Sequence, residues 1–217
     1  QEAHRNMIRV AIVDDHAIVR TGLRQFLSEQ VDLRVTGEAA NGREALELAR
    51  GGETDVMLMD LSMPDQGGVD ALAAIKARFP DLHVLILSGF PESHYATTLL
   101  RQGASGYINK EADPEEIVKA IRTVALGRRY ITPAVAEMLA DGMASGGDRP
   151  AHETLSEREL QVFLRLAKGE TIGHMAESLS LSVKTVSTYR SRILEKLGLA
   201  NNSELTVYAI RNGLVGE

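Results

Sequence analysis

The chain has 217 residues, enough for two ordinary domains that each bury a core, and two is the expectation. At 44% hydrophobic and 25% charged, with no apolar run near the roughly 18 residues of a membrane span, it reads as a globular chain that crosses no membrane. The absence of cysteine excludes disulfides and thiolate metal sites and suits the cytoplasm, and the net charge of −6 argues against nucleic acid only if it is spread evenly.

It is not spread evenly. Residues 1–149 hold 16 Lys and Arg against 22 Asp and Glu, whereas residues 150–217 hold 8 against 8. Within 181–200, Lys184, Arg190, Arg192 and Lys196 face Glu195 alone, a basic patch on a neutral tail. Residues 1–6 are polar, and the apolar run 7–13 is too short for a secretory signal and meets two aspartates at once, so Met7 reads as the natural start.

In chain order, 8–13 is apolar and mostly β-branched, which predicts a strand; Asp14-Asp15-His16 interrupts it, and Ile18, Leu23, Phe26 and Leu27 follow at helical spacing. The pattern repeats with strands at 34–38, 55–59, 83–87 and 106–109 and helices at 41–49, 69–77, 92–102 and 114–125. Five β-α units predict a doubly wound parallel sheet with helices on both faces, because right-handed crossovers place them there. A helix over 134–141, capped by Thr132 and Pro133 and stopped by Gly142, precedes a structureless linker over 143–153. Strand signals then vanish, and helices are predicted at 156–168, 172–178, 183–197 and 203–212, the first opened by a Ser156/Glu159 capping box. The expected domains are 7–126 and 154–217, joined by 127–153.

Chemistry gathers at the strand ends. Asp14 and Asp15 close the first predicted strand, Asp60 the third, Ser88 the fourth, and Asn109-Lys110 the fifth. In a sheet ordered 2-1-3-4-5 these four strands are neighbours, and ligands of open parallel sheets bind beyond the strands' carboxyl ends. Three carboxylates in one crevice repel each other unless a cation sits among them, and hard oxygen ligands suit Mg²⁺. Lys110 and Ser88 suit phosphoryl oxygens, which makes Asp60 a candidate nucleophile that would carry a phosphoryl group. The six histidines are scattered without ligand-like spacing.

Val13-Asp14-Asp15-His16, Met59-Asp60 with Met63-Pro64, Leu87-Ser88-Gly89 and Gly106-Tyr107-Ile108-Asn109-Lys110 resemble the receiver domain of bacterial two-component response regulators, a flavodoxin-like fold. The resemblance implies that Asp60 is the phosphoacceptor and that Asp15, Asp60 and the backbone carbonyl of Ser62 bind Mg²⁺, with Asp14 acting through water. It also implies that Lys110 pairs with the phosphoryl group, that Ser88 is the switch hydroxyl, and that Tyr107 turns inward when Ser88 moves. Pro64-Asp65-Gln66-Gly67-Gly68 departs from the family pattern in the loop, not in the pocket.

In the tail, 172–178, a turn at 179–182 and 183–197 read as a helix-turn-helix. On a wheel of about 100° per residue the second helix places Val183, Val186, Ile193, Leu194 and Leu197 on one side. Lys184, Thr188, Ser191 and Glu195 lie opposite, with Ser187, Thr185 and Arg192 at the edges. Hydroxyls and cations on one face suit DNA. Arg190 falls on the apolar side and is expected to snorkel or to pair internally, not to read bases.

Leu155-Ser-Glu-Arg-Glu-Leu160, Lys184-Thr185-Val186 and Arg190-Ser-Arg-Ile-Leu-Glu-Lys-Leu-Gly198 resemble the LuxR-type tail, so the whole is similar to a NarL/FixJ-type regulator. That resemblance puts Lys184, Ser187, Thr188 and Ser191 on the recognition face and makes 203–212 the helix through which such tails pair. Ile172-Gly173-His174-Met175-Ala176 lacks the family's usual Asn, Lys and Glu. The expected function is a cytoplasmic regulator phosphorylated on Asp60 by a sensor histidine kinase, which then dimerises and binds double-stranded DNA to control transcription. The alternatives are a phosphorylation-independent regulator or adaptor, and an aspartate-nucleophile phosphohydrolase. The last typically needs a second acid two residues after the nucleophile, where this chain has Ser62.

Overall fold

The computed structural model describes residues 7–61, 63, 68–89, 92–144 and 150–215. The chain divides into two compact units, 1–146 and 147–217. In the first, five strands, β1 (Ile8–Val13), β2 (Leu33–Ala39), β3 (Val56–Asp60), β4 (His83–Ser88) and β5 (Gly106–Asn109), form one parallel sheet in the order β2-β1-β3-β4-β5. Helices α1 (Ala17–Ser28), α2 (Gly42–Arg50), α3 (Gly68–Arg78), α4 (Glu92–Arg101) and α5 (Pro114–Ala125) alternate with them.

Every residue of β3 is buried, as a central parallel strand covered on both faces requires. Val10, Ile12, Val56, Leu58, Leu85, Leu87 and Ile108 pack on one face against Leu27 of α1 and Ile117, Val118, Ile121 and Val124 of α5. Their alternates Ala11, Val13, Met57 and Met59 are equally buried on the other face. Short polar caps set the helix starts: Asn41 accepts from the Glu44 amide at 2.9 Å ahead of α2, and Pro114 opens α5, where its missing N–H has no cost.

Helix α6 (Pro133–Ala144) packs on α4 and runs through Gly142, which does not stop it as the sequence suggests. One glycine costs a helix only about 1 kcal/mol, and Met143 and Ala144 after it are strong helix formers. Residues expected to be structureless are therefore partly ordered: 143 and 144 end α6, and Ala151–Thr154 form a 3₁₀ turn too short to leave a periodic signal.

The second unit is helical: α7 (Glu157–Ala167), α8 (Ile172–Ser178), α9 (Val183–Leu197) and α10 (Asn202–Arg211). The Ser156/Glu159 capping box is present, and Lys196 reaches the buried Glu159 at 2.7 Å. Thr171, Ser182 and Asn201 cap the next three helices, and Gly198 ends α9 in the left-handed conformation at φ 65°. Among the described residues no helix is long and apolar enough to cross a membrane.

Candidate functional site

Strand register brings the strand-end residues together. Val13 lies beside Met59, so Asp14 and Asp60 emerge on adjacent strands, while Asp60 pairs with Leu87 and Ser88 with Asn109. Asp14, Asp60 and Ser88 are all buried, at 2%, 1% and 0% exposure. Helix α3 begins directly against this point: a Cβ on Gly68 would lie 2.6 Å from the Asp60 carbonyl oxygen and 2.7 Å from Leu61 Cα, so glycine is what lets the helix approach the strand end.

Lys110 ties the pocket together. Its ammonium lies 2.7 Å from Asp14 Oδ2 and 3.0 Å from Asp60 Oδ2, and its backbone N–H donates to the Ser88 carbonyl at 2.8 Å. Burial alone would lower the Lys110 pKa; the charge of Asp60 and the bonds to Asp14 and Asp60 outweigh it and hold the group above its ordinary value. The lysine is thus a fixed positive charge between two buried carboxylates. Arg20 steadies the same corner by donating to the Asp14 carbonyl at 2.6 Å.

Asp15 joins Asp14 and Asp60, and ligand atoms of the three lie within 4.8 Å of one another together with a nitrogen of His16. Sequence spacing gave no reason to include a histidine. Its ring lies 3.1 Å from Asp14 Oδ1 and 2.9 Å from Asp15 Oδ1, because His16 occupies the N-cap position of α1 immediately after the two acids, its side chain turned to them and not to the helix amides. The signal was adjacency in Asp14-Asp15-His16, which a search for spaced ligands passes over. Converging carboxylate oxygens are the donor set that a hard divalent cation requires, so the residues fit Mg²⁺. Ser62, expected to lend its carbonyl, lies outside the described residues, as do Pro64–Gly67 of the departing loop. Tyr107 is buried at 1% exposure on β5 beside Ile86.

In the second unit, α8 and α9 flank a tight turn in which Ser180 adopts φ 54° and the Leu181 amide donates to the Ala176 carbonyl at 2.9 Å. Val186, Ile193, Leu194 and Leu197 bury one side of α9. Val183, assigned to that side by phase, is 57% exposed, because it occupies the helix's first position at the end of the buried stripe. Lys184, Thr188, Ser191 and Arg192 are exposed, and Thr185 and Ser187 are half-buried. Thr185 is drawn toward the cap, its hydroxyl 2.7 Å from that of Ser182. Arg190 pairs internally as expected, donating to Asn202 Oδ1 at 2.7 Å.

A five-stranded parallel sheet with an acidic, lysine-bridged pocket, followed by a helix-turn-helix, defines a signal-receiving regulator. Residues 10–122 match the response regulator receiver domain, and residues 153–209 match the bacterial regulatory proteins of the luxR family. The chain belongs to the NarL/FixJ-type response regulators. It is 42% identical over 211 residues to the response regulator GacA of Pseudomonas aeruginosa, covering 96% of this chain and 98% of GacA. It is 40% identical over 209 residues to UvrY of Escherichia coli K12, covering 96% of both. Among solved structures it is similar to an RcsB–DNA complex, with a TM-score of 0.58 at 27% identity over 94% of this chain and 98% of that one. It is also similar to RcsB of Salmonella enterica bound to promoter rprA in the presence of phosphomimetic BeF3-, with a TM-score of 0.60, 26% identity and the same coverage.

Proposed function

We propose that Asp60 accepts a phosphoryl group from a sensor histidine kinase, and that the modified protein dimerises and binds specific DNA sequences to regulate transcription. The observation that carries this reading is the Lys110 ammonium held between buried Asp14 and Asp60 at the carboxyl ends of the strands. A carboxylate so placed is a nucleophile whose new phosphoryl charge meets a cation already in position. An oxygen of Asp60 attacks phosphorus, the bond from phosphorus to the donor nitrogen breaks, and the electron pair returns to the donor imidazole.

Mg²⁺, held by Asp15, Asp60 and the Ser62 carbonyl with Asp14 acting through water, would neutralise charge on the transferring phosphoryl oxygens. Lys110 moves its ion pair toward the phosphoryl group, Ser88 offers its hydroxyl to a phosphoryl oxygen, and Tyr107 takes the inward position that this movement opens. These shifts bias an equilibrium between two forms of the regulator, only one of which binds DNA well. The DNA-facing residues are Lys184, Thr185, Ser187, Thr188, Ser191 and Arg192 on α9. Helix α10 is the pairing surface, a role supported by exposed Val207 and Ile210 at 46% and 41%. The protein works in the cytoplasm, and its activity beyond phosphoryl acceptance is at most slow self-dephosphorylation.

Incubation with Mg²⁺ and acetyl phosphate should add the mass of one phosphoryl group, and Asp60→Asn should abolish the gain. Labelling that survives Asp60→Asn would remove the assignment.

A further inference from the structure

The hydroxyls on the exposed face of α9 are not equivalent. A hydroxyl carries one proton and two lone pairs, so the destination of the proton decides what the group offers outward. Thr188 Oγ1 donates to the Lys184 carbonyl at 2.9 Å, and Ser191 Oγ donates to the Ser187 carbonyl at 3.1 Å. Each proton is committed to the helix's own backbone, four residues back, while both side chains stand exposed. Among the described residues the Ser187 hydroxyl makes no such bond, and it remains able to donate or accept.

Turning either committed proton outward gives up a hydrogen bond with a net value of about 1 kcal/mol, which favours the accepting arrangement roughly fivefold. The same face already carries donors, since Lys184 and Arg192 are exposed beside these oxygens. In the major groove guanine presents only the acceptors N7 and O6, and thymine the acceptor O4. The exocyclic amino groups of adenine and cytosine are the donors there.

We propose that Thr188 and Ser191 read DNA as hydrogen-bond acceptors and so select the N6 amino group of adenine or the N4 amino group of cytosine. The inference rests on the reading of α9 as the DNA-facing helix. It divides the face by chemistry: Lys184 and Arg192 supply donors to phosphates or guanine, and the two back-bonded hydroxyls set which strand of a contacted pair must carry the amino base.

The test uses the full chain with Mg²⁺ and acetyl phosphate to select tight-binding duplexes from a randomised library. In a selected duplex, each adenine is then replaced by purine, which lacks the N6 amino group, and each cytosine by pyrimidin-2-one, which lacks the N4 amino group. In a separate series each purine base is replaced by its 7-deaza analogue, which lacks the N7 acceptor. Removing an amino group at one or two positions should weaken binding roughly 3- to 10-fold. That penalty should vanish in Ser191→Ala or Thr188→Val, while the 7-deaza penalties persist in both. Because the base analogues act on the unaltered protein, the first result does not depend on how the variants fold. The proposal is overturned by amino-group penalties that survive both variants, or by a 7-deaza penalty that either variant removes, since the hydroxyl would then be donating. A library that yields no preferred duplex overturns the DNA-binding reading itself, and this proposal with it.

Discussion

Lys110 and His83 are both part-buried titratable groups at the ends of the sheet, and their surroundings push them in opposite senses. Lys110 is surrounded by acid and stays charged. At the opposite, amino-terminal end of the strands, His83 at the start of β4 has its pKa lowered below 6.5, first by burial and then by Lys76, with Asp55 and Asp81 opposing. A histidine whose folded pKa lies below its unfolded one leaves stability unchanged while both forms are neutral. As pH falls through 6.5 the unfolded chain takes up the proton first, so stability drops until the folded pKa is passed. Urea titrations should show His83→Gln losing less stability than the wild type on acidification across that window. An NMR titration of the His83 ring with its midpoint at or above 6.5 would contradict the sign.

Secondary-structure elements were legible where a short-range rule decides them. The five strands and the helices between them follow from apolar runs and turn residues, and their ends agree with the structure to within one or two residues. The capping box at Ser156 and the stop at Gly198 are likewise local chemistry. Gly142 misled because a helix tolerates one unfavourable residue when its neighbours and its packing favour continuation. Gly106 shows the reverse case, a glycine whose necessity is invisible in its own neighbourhood. A Cβ there would lie 2.8 Å from Leu85 Cδ1 and 2.9 Å from both Cβ and the carbonyl oxygen of Tyr130, which bridges to the edge strand β5. Gly106→Ala should therefore destabilise the first unit by about 1–3 kcal/mol through overpacking, seen as a lower urea midpoint with an unchanged slope.

For the whole molecule, the proposed function couples charge added at Asp60 to the binding of DNA by α9. Acetyl phosphate should raise the DNA affinity of the wild type and leave Asp60→Asn unchanged; equal affinities for the two proteins under all conditions would favour a phosphorylation-independent regulator. Lys184→Ala should weaken binding to all sequences alike and reduce the slope of log affinity against log salt by about 1. An altered sequence preference with an unchanged slope would move Lys184 from phosphate contact to base readout.

Sequence alone determined the alternation of strands and helices, the acids at strand ends and the hydroxyl-and-cation face of α9, because each depends on residues a few positions apart. Tertiary structure decided the rest. Strand register put Asp14 beside Asp60 and carried Lys110 across 96 positions of chain to lie between them. The same register closed the acids at the ends of β1 and β3 into one cluster, and it set the Lys110 amide against the Ser88 carbonyl. Those outcomes depend on where a backbone carbonyl or a neighbouring strand lies in space, which no local pattern of residues encodes.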